Sequence, residues 1–230
     1  MPHVLFDTHC HFDFDVFDDQ RATLWKRCQT KHITKLMIPG TSATQWLKAR
    51  ELAEQYKGVY FSAGLHPWFI KNNDDWAKAH NTIQTLATHA LCAAIGECGL
   101  DASIDLPMDT QVQVLRDHIR FANIVQKPII LHCVKAHHLL LSELKANPLR
   151  YGGVLHAFTG SKDMAENYIR HGLYLGVGGS ITYARAKKTR LTLQHIPLNK
   201  LVLATDAPSM PLNGKPVSYT HLTLPTKRIV

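Results

Sequence analysis

Eight short apolar runs recur along the chain: "HVLFDTH", "KLMIPG", "VYFSAGLH", "LCAAIGE", "PIILHC", "GVLHAF", "LYLGVGG" and "LVLATDAP". Brief runs of this kind, ended by turn or polar residues, read as strands buried on both faces. The segments between them change to a helical period. "TSATQWLKARELAEQY" offers Thr41 or Ser42 as a cap and sets Ala49, Leu52, Ala53 and Tyr56 on one face. "DTQVQVLRDHIRFANIVQ" repeats Val112, Leu115, Ile119 and Ala122, and "SKDMAENYIRHG" closes on Gly172, a residue suited to end a helix. Strands without polar faces, alternating with helices, predict a parallel sheet covered by helices. Eight such units fit an α/β fold of the (β/α)8 TIM-barrel type, with a doubly wound open sheet as the alternative.

Bulk properties narrow the class. A chain of 230 residues, 45% of them hydrophobic, suits one barrel domain, and no Ser/Gly-rich, Pro-rich or repeated segment divides it. No run of 18 apolar residues is present, and the N-terminal stretch lacks the basic region of a signal peptide. Five cysteines, an odd number, do not make a disulfide framework and favour a reducing compartment. The expectation is therefore a cytoplasmic protein with no membrane association and no obligate protein partner. A formal net charge of +8 suits an anionic partner such as nucleic acid.

A barrel builds its active face from the loops at the C-terminal ends of its strands. The first apolar run leads into His9 and His11, the third into His66, the fourth into Glu97, the fifth into His132, the sixth into His156 and the eighth into Asp206. One pair such as His9 and His11 means little alone, because 15 histidines in 230 residues yield about one HxH by chance. Recurrence at the same end of successive strands is a different matter. Imidazoles and carboxylates together suit Zn, Mn or Fe, and this many donors fit a pair of ions better than a single tetrahedral one. Cys10, Cys98 and Cys133 each adjoin a candidate ligand, and adjacent side chains of an extended chain face opposite ways, so the thiols are not expected to ligate.

The motifs "DTHCHFD", "AGLHPW", "AIGECGLD", "LHC", "LHAFTGS" and "ATDAPSMPLNG" occur in the order found in the TatD family of metal-dependent hydrolases, which the chain resembles from Met1 to about Lys215. The last motif is most similar to the YjjV-type branch. The resemblance implies a TIM barrel and a deoxyribonuclease-like activity on DNA, or RNA, with an exonuclease mode expected. It also implies two divalent ions, with Mg added to Zn and Mn as candidates. By the same resemblance His9, His11 and Asp206 hold one metal, Glu97 bridges to a second held by His132 and His156, and His66 lines the substrate pocket.

Two metal ions lower the pKa of a water and stabilise charge on both oxygens of a phosphodiester displacement. Asp206 is then the expected proton acceptor and Glu97 the shared carboxylate. Lys135 and the "YARAKKTR" stretch, with Arg185, Lys187, Lys188 and Arg190, are candidates for gripping phosphates. Two positions depart from the family pattern: Lys135 stands where many members have Arg, and Ala204 where they usually have Glu before "TD". Residues 217–230, containing "VSYTHLTLPT", resemble a translated sequencing adapter rather than the family. The domain is accordingly expected to span residues 1–216, to lack its last barrel helix, and to carry an artefactual tail. The rival readings are an amidohydrolase acting on a C–N or lactone bond, disfavoured because Glu97 occupies the position where many such enzymes carry a carboxylated lysine, and an inactive metal-binding fragment.

Overall fold

All eight expected runs form strands. The computed structural model describes residues 4–72 and 74–214; the expected tail at residues 217–230 lies outside the described residues. The strands are β1 (Leu5–Asp7), β2 (Ile33–Ile38), β3 (Val59–Ala63), β4 (Cys92–Asp101), β5 (Ile129–Val134), β6 (Gly153–Leu155), β7 (Leu173–Val177) and β8 (Leu201–Leu203). They pair in parallel and in sequence order, β1 through β8. The first and last strands then meet: the Thr8 N–H donates to the Leu203 carbonyl at 2.8 Å, and the Asp206 N–H to the His9 carbonyl at 2.8 Å. That contact excludes the open doubly wound sheet and makes the fold a TIM barrel.

Among the described residues seven α-helices alternate with the strands: α1 (Arg21–Thr30), α2 (Ala43–Gln55), α3 (Asp75–Ala87), α4 (Met108–Ile124), α5 (His137–Ala146), α6 (Lys162–Arg170) and α7 (Lys187–Leu193). The segment where an eighth helix would follow β8 lies beyond them. Ser42 takes the cap position of α2 in extended conformation, and Ala49, Leu52 and Ala53 are buried as their spacing requires. In α4 the stripe of Val112, Leu115, Ile119 and Ala122 is buried together with Val114, His118 and Phe121. Gly172 follows α6 at φ +83°, the left-handed turn that glycine enters without steric cost. Strand residues Leu36, Phe61, Leu131 and Leu175 and helix residues Trp46, Ile83, Leu115, Leu140 and Tyr168 belong to one continuous core.

The fourth strand differs from expectation. It does not end at Glu97 but runs on to Asp101, with its register against β5 shifting between Ile95 and Cys98. Glycines permit this close-packed stretch: a Cβ on Gly64 would lie 2.3 Å from the Gly96 Cα, and one on Gly99 would lie 2.0 Å from the His132 carbonyl oxygen. Bringing β3, β4 and β5 backbones this near one another is what places His66, Glu97 and His132 in one cluster.

Candidate metal centre

The side chains at the C-terminal ends of the strands converge on Glu97. Its carboxylate is buried, and its two oxygens face different partners. Oε2 lies 3.2 Å from His9 Nε2. Oε1 lies 2.8 Å from His156 Nε2, 3.3 Å from His132 Nδ1 and 3.5 Å from His66 Nε2. On the His9 side, Asp206 Oδ1 is 3.6 Å from His9 Nε2 and 3.3 Å from His11 Nε2. Three groups of donors therefore stand close enough to share an ion: His9, His11 and Asp206; His9, Glu97 and His156; and His66, Glu97 and His132. All six sequence-derived candidate ligands and His66 meet in one place.

The local backbone is unusual at these positions. Asp206 has φ +51°, and Ala157, directly after His156, has φ +47°. Left-handed conformations are uncommon for residues with a Cβ, and they aim a side chain where an ordinary strand continuation would not. Asp206 is kept there by its N–H bond to the His9 carbonyl, while its own carbonyl accepts from the Ser209 N–H at 2.8 Å.

Donors and charges fit a cation. Among the described residues His9 Nδ1 and Nε2, His11 Nδ1 and His156 Nδ1 are buried without a hydrogen-bond partner. Unsatisfied buried polar atoms are costly, and here they surround two carboxylates in a low-dielectric mouth. Burial alone would raise the Glu97 carboxyl; the imidazoles of His156, His9 and His66 and the hydrogen bond with His132 outweigh it and hold it well below the usual range. Burial would likewise raise Asp206, but His11, His9 and His156 keep it low. Burial lowers His9, whereas Glu97 overrides burial at His156 and pushes it up to about 9. Two committed carboxylates thus attract positive charge into the cluster.

Two carboxylates missed by the sequence reading organise these ligands. Asp101, at the true end of β4, accepts from Trp68 Nε1 at 2.8 Å and lies 3.1 Å from His132 Nε2. Accepting the Nε2 proton leaves the Nδ1 lone pair of His132 facing Glu97, the arrangement by which an outer carboxylate orients a metal-binding imidazole. Asp7, two residues before His9, accepts from Thr205 Oγ1 at 2.6 Å and Thr205 N–H at 3.0 Å, which ties β1 to the residue preceding Asp206. The available signal was the even spacing of Asp7 from His9 and of Asp101 from Glu97 along an extended chain.

His66 stands apart from the other imidazoles. Its Nδ1 accepts from the Trp68 N–H at 3.2 Å, so in the neutral ring the hydrogen is on Nε2, pointed toward Glu97. Burial holds His66 down at about 3, despite Glu97, so the ring is neutral. Its Nε2 hydrogen makes it a neutral donor toward the site.

The basic candidates divide. Lys135 is exposed in the loop between β5 and α5, at φ +53°, and not on a helix. Arg185 sits in the β7–α7 loop with its guanidinium 4.5 Å above the Tyr183 ring. It lines an open groove of about 590 Å³ with Lys162, Lys187, Lys188 and His195. Arg190 does not belong to that surface: its guanidinium donates to the carbonyls of Ile181 at 2.8 Å and Tyr183 at 2.6 Å, bracing the loop instead. Ala204 is buried, and its N–H donates to the Val177 carbonyl at 3.0 Å. All five cysteines are free, and no helix among the described residues is long and apolar enough to cross a membrane.

A closed eight-stranded parallel barrel with buried His, Glu and Asp gathered at the C-terminal strand ends is the architecture of a metal-dependent hydrolase. The family model described as "TatD related DNase" matches residues 6–225. The chain is 39% identical over 210 residues to the metal-dependent hydrolase YjjV of Escherichia coli K12, covering 90% of this chain and 81% of that protein. It is 33% identical over 208 residues to the 3'-5' ssDNA/RNA exonuclease TatD of Cronobacter sakazakii, covering 89% and 78%. The crystal structure of Escherichia coli YjjV superposes with a TM-score of 0.85 at 36% identity, covering 91% of this chain and 82% of that one. The chain belongs to the TatD family of metal-dependent hydrolases.

Proposed function

We propose that the protein is a two-metal phosphodiesterase that removes nucleotides from the ends of DNA or RNA in the cytoplasm. The observation that carries this reading is the division of the Glu97 carboxylate: Oε2 faces His9, beside His11 and Asp206, while Oε1 faces His132 and His156. One carboxylate shared between two donor groups suits a pair of divalent ions, with Zn, Mn and Mg as the candidates. When bound, such ions supply Lewis-acid stabilisation of phosphate charge and a water acidic enough to attack near neutral pH. The exonuclease named TatD in Cronobacter sakazakii, at 33% identity, supports phosphodiesters as the bond class.

The chain's own groups have separate tasks. Asp206, held ionised at the mouth, orients the attacking water and accepts its proton. His66 donates its Nε2 hydrogen to a phosphate oxygen, a task open to a neutral ring whose other nitrogen is already occupied. Lys135 and Arg185, on βα loops of the ligand-bearing end, take phosphates on either side of the scissile one. Both are unpaired with carboxylates among the described residues. Lys135 delivers a point charge rather than the bidentate fork of an arginine.

Protein loaded with Mn, Mg or Zn, and the chelated protein, are to be assayed on single-stranded DNA and RNA labelled at either end and on amide and lactone substrates. Metal-dependent, stepwise shortening of the labelled strands is expected, with Lys135→Ala weakening apparent affinity and its salt dependence. Hydrolysis of a C–N or lactone bond with intact strands would replace this reading by the amidohydrolase one. Metal binding with no turnover of any substrate would identify a binding protein.

A further inference from the structure

Trp68 is 64% exposed and Phe69 45% exposed, and they adjoin each other in the loop that follows β3. Among the described residues the other exposed aromatics, Phe6, Tyr151 and Tyr174, lie within β1, before β6 and within β7, away from the loops that follow strands. Trp68 is also held still. Its indole N–H donates to Asp101 Oδ2 at 2.8 Å, and its backbone N–H donates to His66 Nδ1 at 3.2 Å. An exposed indole with its polar edge tied down presents a fixed π face to solvent, and nothing in that arrangement serves the core. Its ring centroid is 5.7 Å from that of His66, whose Nε2 reaches Glu97. The platform therefore stands one side chain away from the donor cluster.

We propose that Trp68 is the stacking platform for the nucleobase of the terminal nucleotide whose phosphate enters the metal centre. This deepens the phosphodiesterase reading and rests on it. A flat heteroaromatic ring on an indole is favoured by dispersion and is indifferent to base identity, which suits an enzyme that shortens strands of any sequence. Asp101 joins the platform to the chemistry, because the carboxylate that fixes the Trp68 ring also orients His132. The base is thereby registered against a metal-binding imidazole through a single residue.

The test uses two product-like probes that lack a phosphodiester bond, deoxyadenosine 5'-monophosphate and deoxyribose 5-phosphate, which share sugar and phosphate and differ by the base. Binding to the metal-loaded protein is followed by calorimetry and by tryptophan quenching; Trp25 and Trp46 are buried and Trp76 is half-buried against His118, so the part of the quenching that disappears in Trp68→Ala reports the exposed Trp68. The nucleotide is expected to bind about ten-fold more tightly than the sugar phosphate. Trp68→Ala should collapse that ratio toward one, and Trp68→Phe, which loses the N–H but keeps a ring, should retain most of it. Metal content of each variant is measured in parallel, so that damage to His66 or Asp101 is recognised. A wild-type ratio near one, or a ratio unchanged in Trp68→Ala, overturns the platform. If the ratio behaves as expected while no labelled strand is shortened, the platform stands and the exonuclease reading falls.

Discussion

Among the described residues the protein buries histidines in two places, and one of them has the makings of a metal site. Between α3 and α4, His118 is completely buried against Trp76, ring centroids 4.2 Å apart. Its Nε2 accepts from the Leu65 N–H at 3.0 Å, and its Nδ1 lies 2.8 Å from the Val114 carbonyl. Both nitrogens are satisfied by backbone, and among the described residues no carboxylate pairs with the ring. At the barrel mouth His9 is equally buried, but its nitrogens lack hydrogen bonds and lie beside Glu97 and Asp206. Burial of an imidazole is thus a poor guide to function. Donors left open toward shared carboxylates are the informative feature, because a fold tolerates them only where something else completes their coordination.

The largest expected effect in this comparison comes from Asp206→Asn. Loss of the proposed proton acceptor and one candidate metal donor at the mouth should lower kcat by about 10²–10⁴. Binding of an oligonucleotide, measured by fluorescence anisotropy, should change far less, because the basic loops remain. A variant as active as the wild type would remove Asp206 from the chemistry.

Asp101→Asn sharpens the contrast at one remove. The amide can no longer accept as a carboxylate from His132 Nε2, so the imidazole loses its fixed tautomer. Metal affinity, measured by competition with a chromogenic chelator, should fall about 10- to 100-fold. Unchanged affinity would make Asp101 only an anchor for Trp68.

The control cluster is expected to change neither metal nor substrate binding, only stability. Burial lowers His118 to about 4 from an ordinary 6.5, against the hydrogen bond to Val114, so the unfolded chain binds a proton there at higher pH than the folded one does. Stability is then fully present above pH 6.5 and falls as pH drops toward 4, by up to about 3 kcal/mol from this residue. Denaturant unfolding of wild type and His118→Gln across pH 4–7 should show a gap that narrows with acidification, with metal content equal in both. A parallel pair of stability curves would show that His118 does not carry this pH dependence.

Much of the mouth was legible in the sequence because a barrel turns chain order into position. Each apolar run marked a strand, and the polar residue following it marked the active face, so His9, His11, His66, His132, His156 and Asp206 needed no tertiary information. Asp101 was not legible in this way. The apolar run breaks at Glu97, and β4 continues only because glycines at 64, 96 and 99 let neighbouring backbones close in, which is a property of three strands together. The bracing role of Arg190 is hidden for a related reason: a cationic side chain beside other cations reads as surface until the loop carbonyls it donates to are in place. Trp68 ends the motif "AGLHPW", but its bond to Asp101 joins residues 33 positions apart.

The central claim is that Glu97 joins two cation sites within one mouth. It is tested most directly by the metal stoichiometry of the purified chain, by native mass spectrometry during Mn or Zn titration, for wild type and Glu97→Gln. The account predicts two ions per wild-type chain and weakened binding of both in the variant, since each oxygen of the carboxylate faces one group. A single ion in the wild type, or loss of only one ion with the other bound unchanged, would contradict it.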